Sequence, residues 1–218
     1  HNELELSRRY FLTLIKDYPR SPLVADAYYA IGTSFEEESR HQEAIESFQK
    51  VMESGKTDLG GQAAIAVADI YVKQDKLSSA IPAYMQIVRD YPNLVHLVYP
   101  KIAELYAQTS DFYRALDYYR KSLDAVSVRE MGNIQFKIAE VLQAQGALNE
   151  AVEEYLKATY LYSESSALAV KALLRVAQIY EDKENFKEAV NIYRRVIAAG
   201  AQEAKYAQER VDWIKANK

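Results

Sequence analysis

Cysteine is absent from the 218 residues, which excludes a disulfide framework, a thiolate nucleophile and any cysteine-ligated metal. Glycine and proline are scarce, at 7 and 5 residues. That is about half of ordinary usage and leaves too few turn formers for a sheet-rich fold. No apolar run approaches the ~20 residues of a membrane span; the best stretch, Ala63 to Ala68, ends at Asp69. A basic surplus is missing too. Lys and Arg number 27 against 31 Asp and Glu, a net charge of −4, which removes the electrostatic case for nucleic acid. The three histidines, His1, His41 and His96, stand at no ligand spacing, so they read as solvated side chains and no metal or cofactor is expected. Gly55-Lys56-Thr57 imitates the tail of a phosphate-binding loop, but Lys50 occupies the place of the motif's first glycine, and the segment follows a helical pattern, not a strand. No nucleophile elbow or catalytic constellation surrounds the serines and tyrosines, and the chain reads as a non-enzyme.

What is abundant is repetition. Ala44-Ile45, Ala80-Ile81, Ala115-Leu116, Ala151-Val152 and Ala189-Val190 each pair alanine with an aliphatic residue. Four residues after each alanine stands an aromatic: Phe48, Tyr84, Tyr119, Tyr155 and Tyr193. Twelve residues before each alanine comes another small residue, Gly32, Ala68, Ala103, Ala139 or Ala177, followed three residues on by Phe35, Tyr71, Tyr106, Leu142 or Tyr180. The anchors are 36, 35, 36 and 38 residues apart. Spacings of three and four place each pair on one helical face. Between the two halves lies a polar, turn-like stretch such as Gln74-Asp75-Lys76 or Gln145-Gly146. Each unit is therefore a helical hairpin, helix A then helix B. Small residues sit where the two helices meet, so the axes can close to the short end of roughly 8–10 Å, and the aromatics fill the space alongside. A lone hairpin cannot bury its apolar face, whereas stacked hairpins share a continuous core. The predicted fold is all-α, an α-solenoid.

These residues resemble the tetratricopeptide repeat (TPR) family over nearly the whole chain. The resemblance implies one domain, 1–218, coiled as a right-handed superhelix of about five full repeats at 25–58, 61–94, 96–129, 132–165 and 170–203. A half repeat at 1–20 precedes them, with Ser7 and Phe11 in the alanine and aromatic places, and a capping helix at 204–218 follows. Departures are mild. Leu142 replaces the aromatic in the fourth repeat, and Val51, Ile87, Ser122 and Val196 stand where the family prefers alanine. Pro19 and Pro92 occupy the family's terminating place, while Pro82 and Pro100 fall within helical pattern, in first turns where few backbone bonds are lost. A loop at Ser163 to Ser166 accounts for the 38-residue spacing. Opening in mid-repeat, the chain reads as the C-terminal part of a longer one. Its junctions, Asp17-Tyr18-Pro19-Arg20-Ser21-Pro22 and Asp90-Tyr91-Pro92, resemble those of bacterial cell-envelope TPR proteins and point to the envelope or periplasm.

The resemblance also implies a function: a non-catalytic scaffold that binds a protein or peptide in the concave groove lined by helices A, without nucleic acid or membrane insertion. Reading the family's groove places onto this chain gives Ala30, Ala66, Lys101, Lys137 and Arg175 in one row. The second row is Thr33, Asp69, Glu104, Glu140 and Gln178, with Tyr29 beside them. Lysine three residues before glutamate is the less favourable order within a helix. Stacking is therefore expected to bring Lys137 near both Glu104 and Glu140, as an inter-repeat charge ladder. The carboxylate clamp known in the family is not expected, because Pro100, Glu104 and Lys137 fail its pattern and only Lys171 and Arg175 match. Most repeat-signature tyrosines read as core, whereas Tyr29, Tyr113, Tyr118 and Tyr162 are left available for partners. An alternative is a structural module that self-associates through its N-terminal repeat face or spaces other domains. A third is a fused enzyme whose catalytic part precedes residue 1.

Overall fold

The computed structural model describes residues 2–161, 167–200 and 202–218; His1, Tyr162 and the expected loop at 163–166 lie outside them. Among the described residues all regular structure is helical. The chain divides between Val98 and Tyr99 into two compact units. The first carries α1 (Asn2–Asp17), α2 (Val24–Glu37), α3 (His41–Glu53), α4 (Asp58–Lys73), α5 (Leu77–Asp90) and a 3-10 turn at Pro92–Leu94. The division falls inside α6 (Val95–Gln108). The second unit continues with α7 (Phe112–Ala125), α8 (Val128–Gln145), α9 (Leu148–Tyr160), α10 (Ala167–Asp182), α11 (Phe186–Ala198) and α12 (Ala204–Asn217). In the first unit α1 packs on α2, α2 on α3, α3 on α4 and α4 on α5; in the second the same succession runs from α7 through to α12. Neighbour-on-neighbour packing is the α-solenoid arrangement.

The small-residue anchors lie at these contacts. Ala44, Ala80, Ala115, Ala151 and Ala189 are fully buried, as are Ala68, Ala103, Ala139 and Ala177. Gly32 is buried as well, and a Cβ added there would stand 2.8 Å from the Phe48 ring. The aromatics beside them are equally enclosed, from Tyr155 and Tyr193 at 0% exposure to Tyr119 at 3%. In the first unit Phe48 packs with Ala44, Val51, Ala63, Val67 and Ile70. In the second, Tyr193 packs with Leu173, Ala177, Val196, Val211 and Ile214.

Repetition extends to the backbone. Ser39, Asp75, Ser110, Gly146 and Glu184, one in each hairpin turn, adopt positive φ between 57° and 86°. The amide that follows each donates to the aromatic or leucine anchor five residues back: Arg40 to Phe35, Lys76 to Tyr71, Asp111 to Tyr106, Ala147 to Leu142 and Asn185 to Tyr180, at 2.8 to 2.9 Å. These are Schellman closures, which satisfy the last carbonyls of helix A and aim the chain back along it. Only Gly146 adopts the left-handed conformation without the steric penalty of a Cβ, about 1 kcal/mol or more per residue. Pro82 and Pro100 correct an expectation. Each is the sixth residue of its helix, α5 or α6, and so lies in the second turn, where its missing N–H removes a backbone hydrogen bond.

Two polar anchors hold terminal helices. The Arg8 guanidinium of α1 is buried against α2, donating to Ser34 Oγ at 3.2 Å and pairing with Glu38 at 2.9 Å. At the other end Arg210 of α12 pairs with Glu181 of α10 and lies 4.7 Å from the Trp213 ring centroid.

Candidate functional site

In the second unit, two open hollows of about 260 and 370 Å³ share Glu104, Tyr119 and Lys137 as walls. Ala107, Gln108, Phe112, Glu140, Val141 and Ala144 complete the first. Pro100, Asn133, Ile134, Phe136, Leu168 and Lys171 complete the second. Three of the helices that supply these residues are helix-A elements, α6, α8 and α10, so the two hollows form one groove across successive hairpins. The local sequence positions α8 firmly. At its start the Glu130 carboxylate accepts from the Ser127 amide at 3.2 Å and hydroxyl at 2.6 Å, and Gly146 closes its other end. Phe136 is fixed edge-on to Tyr155, with centroids 5.1 Å apart, and carries the Lys171 ammonium at 4.8 Å.

Tyrosine hydroxyls of the repeat register meet helix-A side chains. Tyr155 donates to Gln143 at 2.8 Å and Tyr193 to Glu181 at 2.9 Å; in the first unit Tyr84 donates to Asp69. Among the described residues the Tyr119 hydroxyl makes no hydrogen bond. Burial pushes its pKa well above that of an ordinary tyrosine, and the carboxylates of Glu104 and then Glu140 push it further. Burial also raises Tyr155, with Glu140 adding to the rise and Arg175 opposing it. For Tyr193, burial comes first, followed by the hydrogen bond to Glu181 and its charge.

These shifts fix a pH dependence. Each hydroxyl holds its proton more tightly folded than unfolded. Above pH about 10, where an exposed tyrosine ionises, the folded state therefore binds more protons than the unfolded one. The stability contributed is complete below that pH and falls as pH rises past it. Urea midpoints are expected to decline above pH about 10, with buried tyrosinate absorbance growing in together with loss of helix. Ionisation of every tyrosine in the folded state, before any helix is lost, is the contrary result.

The residues singled out from the sequence fall as follows. Glu104, Lys137 and Glu140 line the groove. Lys101 is half-buried on α6, while Arg175 and Gln178 are half-buried on α10. Tyr29, Thr33 and Asp69 belong to the first unit. The Tyr29 ring meets Phe48 edge-on at 5.3 Å, and Thr33 Oγ1 donates to the Tyr29 carbonyl at 3.1 Å. Of the surplus tyrosines, Tyr113 is 84% exposed, but Tyr118 packs between Tyr99 and Tyr106, 5.9 and 5.8 Å away. The charge ladder needs correction. Lys137 pairs with Glu140 in its own helix at 3.0 Å, and no ion pair among the described residues joins Lys137 to Glu104. Residues three apart on a helix are already neighbours, so the shorter intrahelical reach wins. Sequence reasoning missed the hydroxyl of Tyr119 and the pairing of Phe136 with Lys171. A signal for the first was present: Ala107 stands at the repeat place that Gln143 and Glu181 hold in later repeats, so the third repeat lacks that acceptor.

Among the described residues no group of His, Cys, Asp or Glu is placed to hold a metal ion, and no helix is long and apolar enough to cross a membrane. Residues 1–58 match the family described as tetratricopeptide repeat, and residues 123–208 match soluble NSF attachment protein, SNAP. No curated protein matches the sequence. Among solved structures, a crystal structure of MamA superposes with a TM-score of 0.67 at 17% identity, covering 85% of this chain and 97% of that one. MamA of MSR-1 gives 0.59 at 20% identity over 82% and 97%. A MamA structure beginning at residue 41, from Desulfovibrio magneticus RS-1, gives 0.64 at 12% identity over 81% and 94%. At these identities the likeness concerns the fold alone. Five hairpin signatures, the helical stacking within each unit and the repeat model matched over residues 1–58 agree on one fold, an α-solenoid of tetratricopeptide-repeat type.

Proposed function

We propose that the chain is a non-catalytic scaffold that holds a protein or peptide against its helix-A faces, with the groove of the second unit as the docking wall. The observation that carries this reading is the groove itself. Its walls bear Glu104, Lys137 and Lys171, and its lining includes the apolar Phe112, Ile134, Phe136 and Val141. Lys101, Arg175 and Gln178 would extend this wall, and Tyr29, Thr33 and Asp69 would supply the corresponding wall of the first unit. Apolar anchors give affinity in such surfaces, while charges set register and choice of partner. The family matched over 123–208 is named for attachment to NSF, which supports a protein partner rather than a small molecule. The Asp-Tyr-Pro junctions support placement in a bacterial cell envelope.

The test is selection of random dodecapeptides displayed on phage. Peptides enriched on the wild type are expected to lose binding to the variant Glu104→Lys/Lys137→Glu, yet keep it on Arg120→Glu/Lys187→Glu. All four positions are exposed, so folding should change by no more than about 0.5 kcal/mol per site. Equal binding to both variants, or no enrichment, sinks the groove assignment. Self-association is a second reading, favoured by one observation: α1 exposes Leu6 and Tyr10, one turn apart on one face, at 51 and 69%, apolar side chains suited to a contact. A solution mass that stays monomeric across a concentration series excludes it.

A further inference from the structure

We propose that the partner docked in this groove delivers a basic side chain, lysine or arginine, to the Tyr119 hydroxyl between Glu104 and Glu140; this rests on the docking reading above. Tyr119 is 3% exposed, lines both hollows and has no hydrogen-bond partner among the described residues. The other tyrosines of its register, Tyr84, Tyr155 and Tyr193, are all bonded to helix-A side chains. The ring is buried, but the hydroxyl opens on the two hollows, so the groove is the direction from which a partner can come.

The charges around that hydroxyl select the partner's sign. Both carboxylates lie near enough to the Tyr119 hydroxyl to add to the rise in its pKa that burial causes. The cations nearby are engaged elsewhere: Lys137 sits 3.0 Å from Glu140, and Lys171 lies over the Phe136 ring at 4.8 Å. Glu104 makes no ion pair among the described residues. An incoming ammonium or guanidinium would donate to Glu104 and to the Tyr119 oxygen together, two acceptors that no described residue occupies. Its aliphatic stem would lie along Ile134, Phe136 and Val141, as long basic side chains do on apolar surface. An acidic side chain would meet Glu104 and Glu140 head-on, and a neutral apolar one would leave the hydroxyl buried without a partner.

The probes are the dodecapeptides selected above, resynthesised with each lysine or arginine replaced in turn by norleucine. One such replacement is expected to weaken binding about tenfold or more, the scale of a hydrogen bond to a charged group. Against Glu104→Gln, and against Tyr119→Phe, the same replacement should cost less than about threefold, because the coupling has gone. Tyr119→Phe removes no hydrogen bond among the described residues, so its urea midpoint should match the wild type; should it unfold, Glu104→Gln carries the cycle alone. Groove-dependent peptides that tolerate norleucine everywhere, or whose basic residue matters equally in both variants, overturn the cation proposal and leave the groove reading standing. Absence of any groove-dependent peptide overturns both.

Discussion

Replacing Arg8 with alanine is expected to remove about 3–5 kcal/mol of stability, the cost of stripping one partner from a buried ion pair. Arg8 and Glu38 are only 8% and 6% exposed and stand 2.9 Å apart. The guanidinium also donates to Ser34 Oγ at 3.2 Å and lies 4.6 Å from the Phe35 ring centroid. Removing it takes the 2.9 Å partner from a Glu38 carboxylate that is 6% exposed, while the contact to the half-exposed Arg40 is longer, at 3.6 Å. Glu38→Ala should cost a similar amount from the opposite side, because the guanidinium then loses its counter-charge. The double change Arg8→Met/Glu38→Leu should recover most of the loss, since apolar replacement of a whole buried pair is often neutral or stabilising. Urea denaturation gives the free energies, and hydrogen exchange reports whether α1 leaves α2 first, as an element fastened through this pair should. A loss under about 1 kcal/mol for either single change would place the pair among ordinary surface bridges and contradict its role.

Arg8 also shows where sequence reasoning stops. A charged residue beside Ser7 on an amphipathic helix reads as solvated, because arginine is almost never fully buried unless paired. Its partner lies 30 residues away, in the turn after α2, and no periodicity announces it. The hairpins themselves were legible because burial at their contacts demands small side chains, and five copies of that demand leave a visible register. The turns were harder. Four of the five left-handed positions carry Ser39, Asp75, Ser110 and Glu184 rather than glycine, so a search for glycine punctuation finds only Gly146. Here the Schellman bonds of the helix end override the local preference of the residue. Lys137 followed a similar logic: its groove position could be read, but not its choice of Glu140 over Glu104, which depends on distances between helices. Tyr119 was legible by ring and illegible by hydroxyl. Its register places the aromatic in the core, while the acceptor it lacks is a property of Ala107 on another helix.

The second large effect tests the register directly. Phe48→Ala is expected to cost about 3–5 kcal/mol, since the ring is 1% exposed and its removal opens a cavity beside Ala44 and Val67. Gly32→Ala then serves as a probe whose sign depends on that ring. In the wild type the new Cβ meets Phe48 at 2.8 Å, and overpacking of this kind costs about 1–3 kcal/mol. Alanine in mid-helix recovers about 1 kcal/mol over glycine, so the net result is a modest loss. In the Phe48→Ala background the clash is gone and the helical preference remains. Gly32→Ala should there become stabilising by about 1 kcal/mol, aided by a methyl group entering the vacated space. A reversal of sign between the two backgrounds, measured by urea denaturation, requires residues 32 and 48 to touch. If the substitution is equally destabilising in both, the helices of this hairpin do not meet at Gly32, and the repeat register on which the groove positions were placed is wrong.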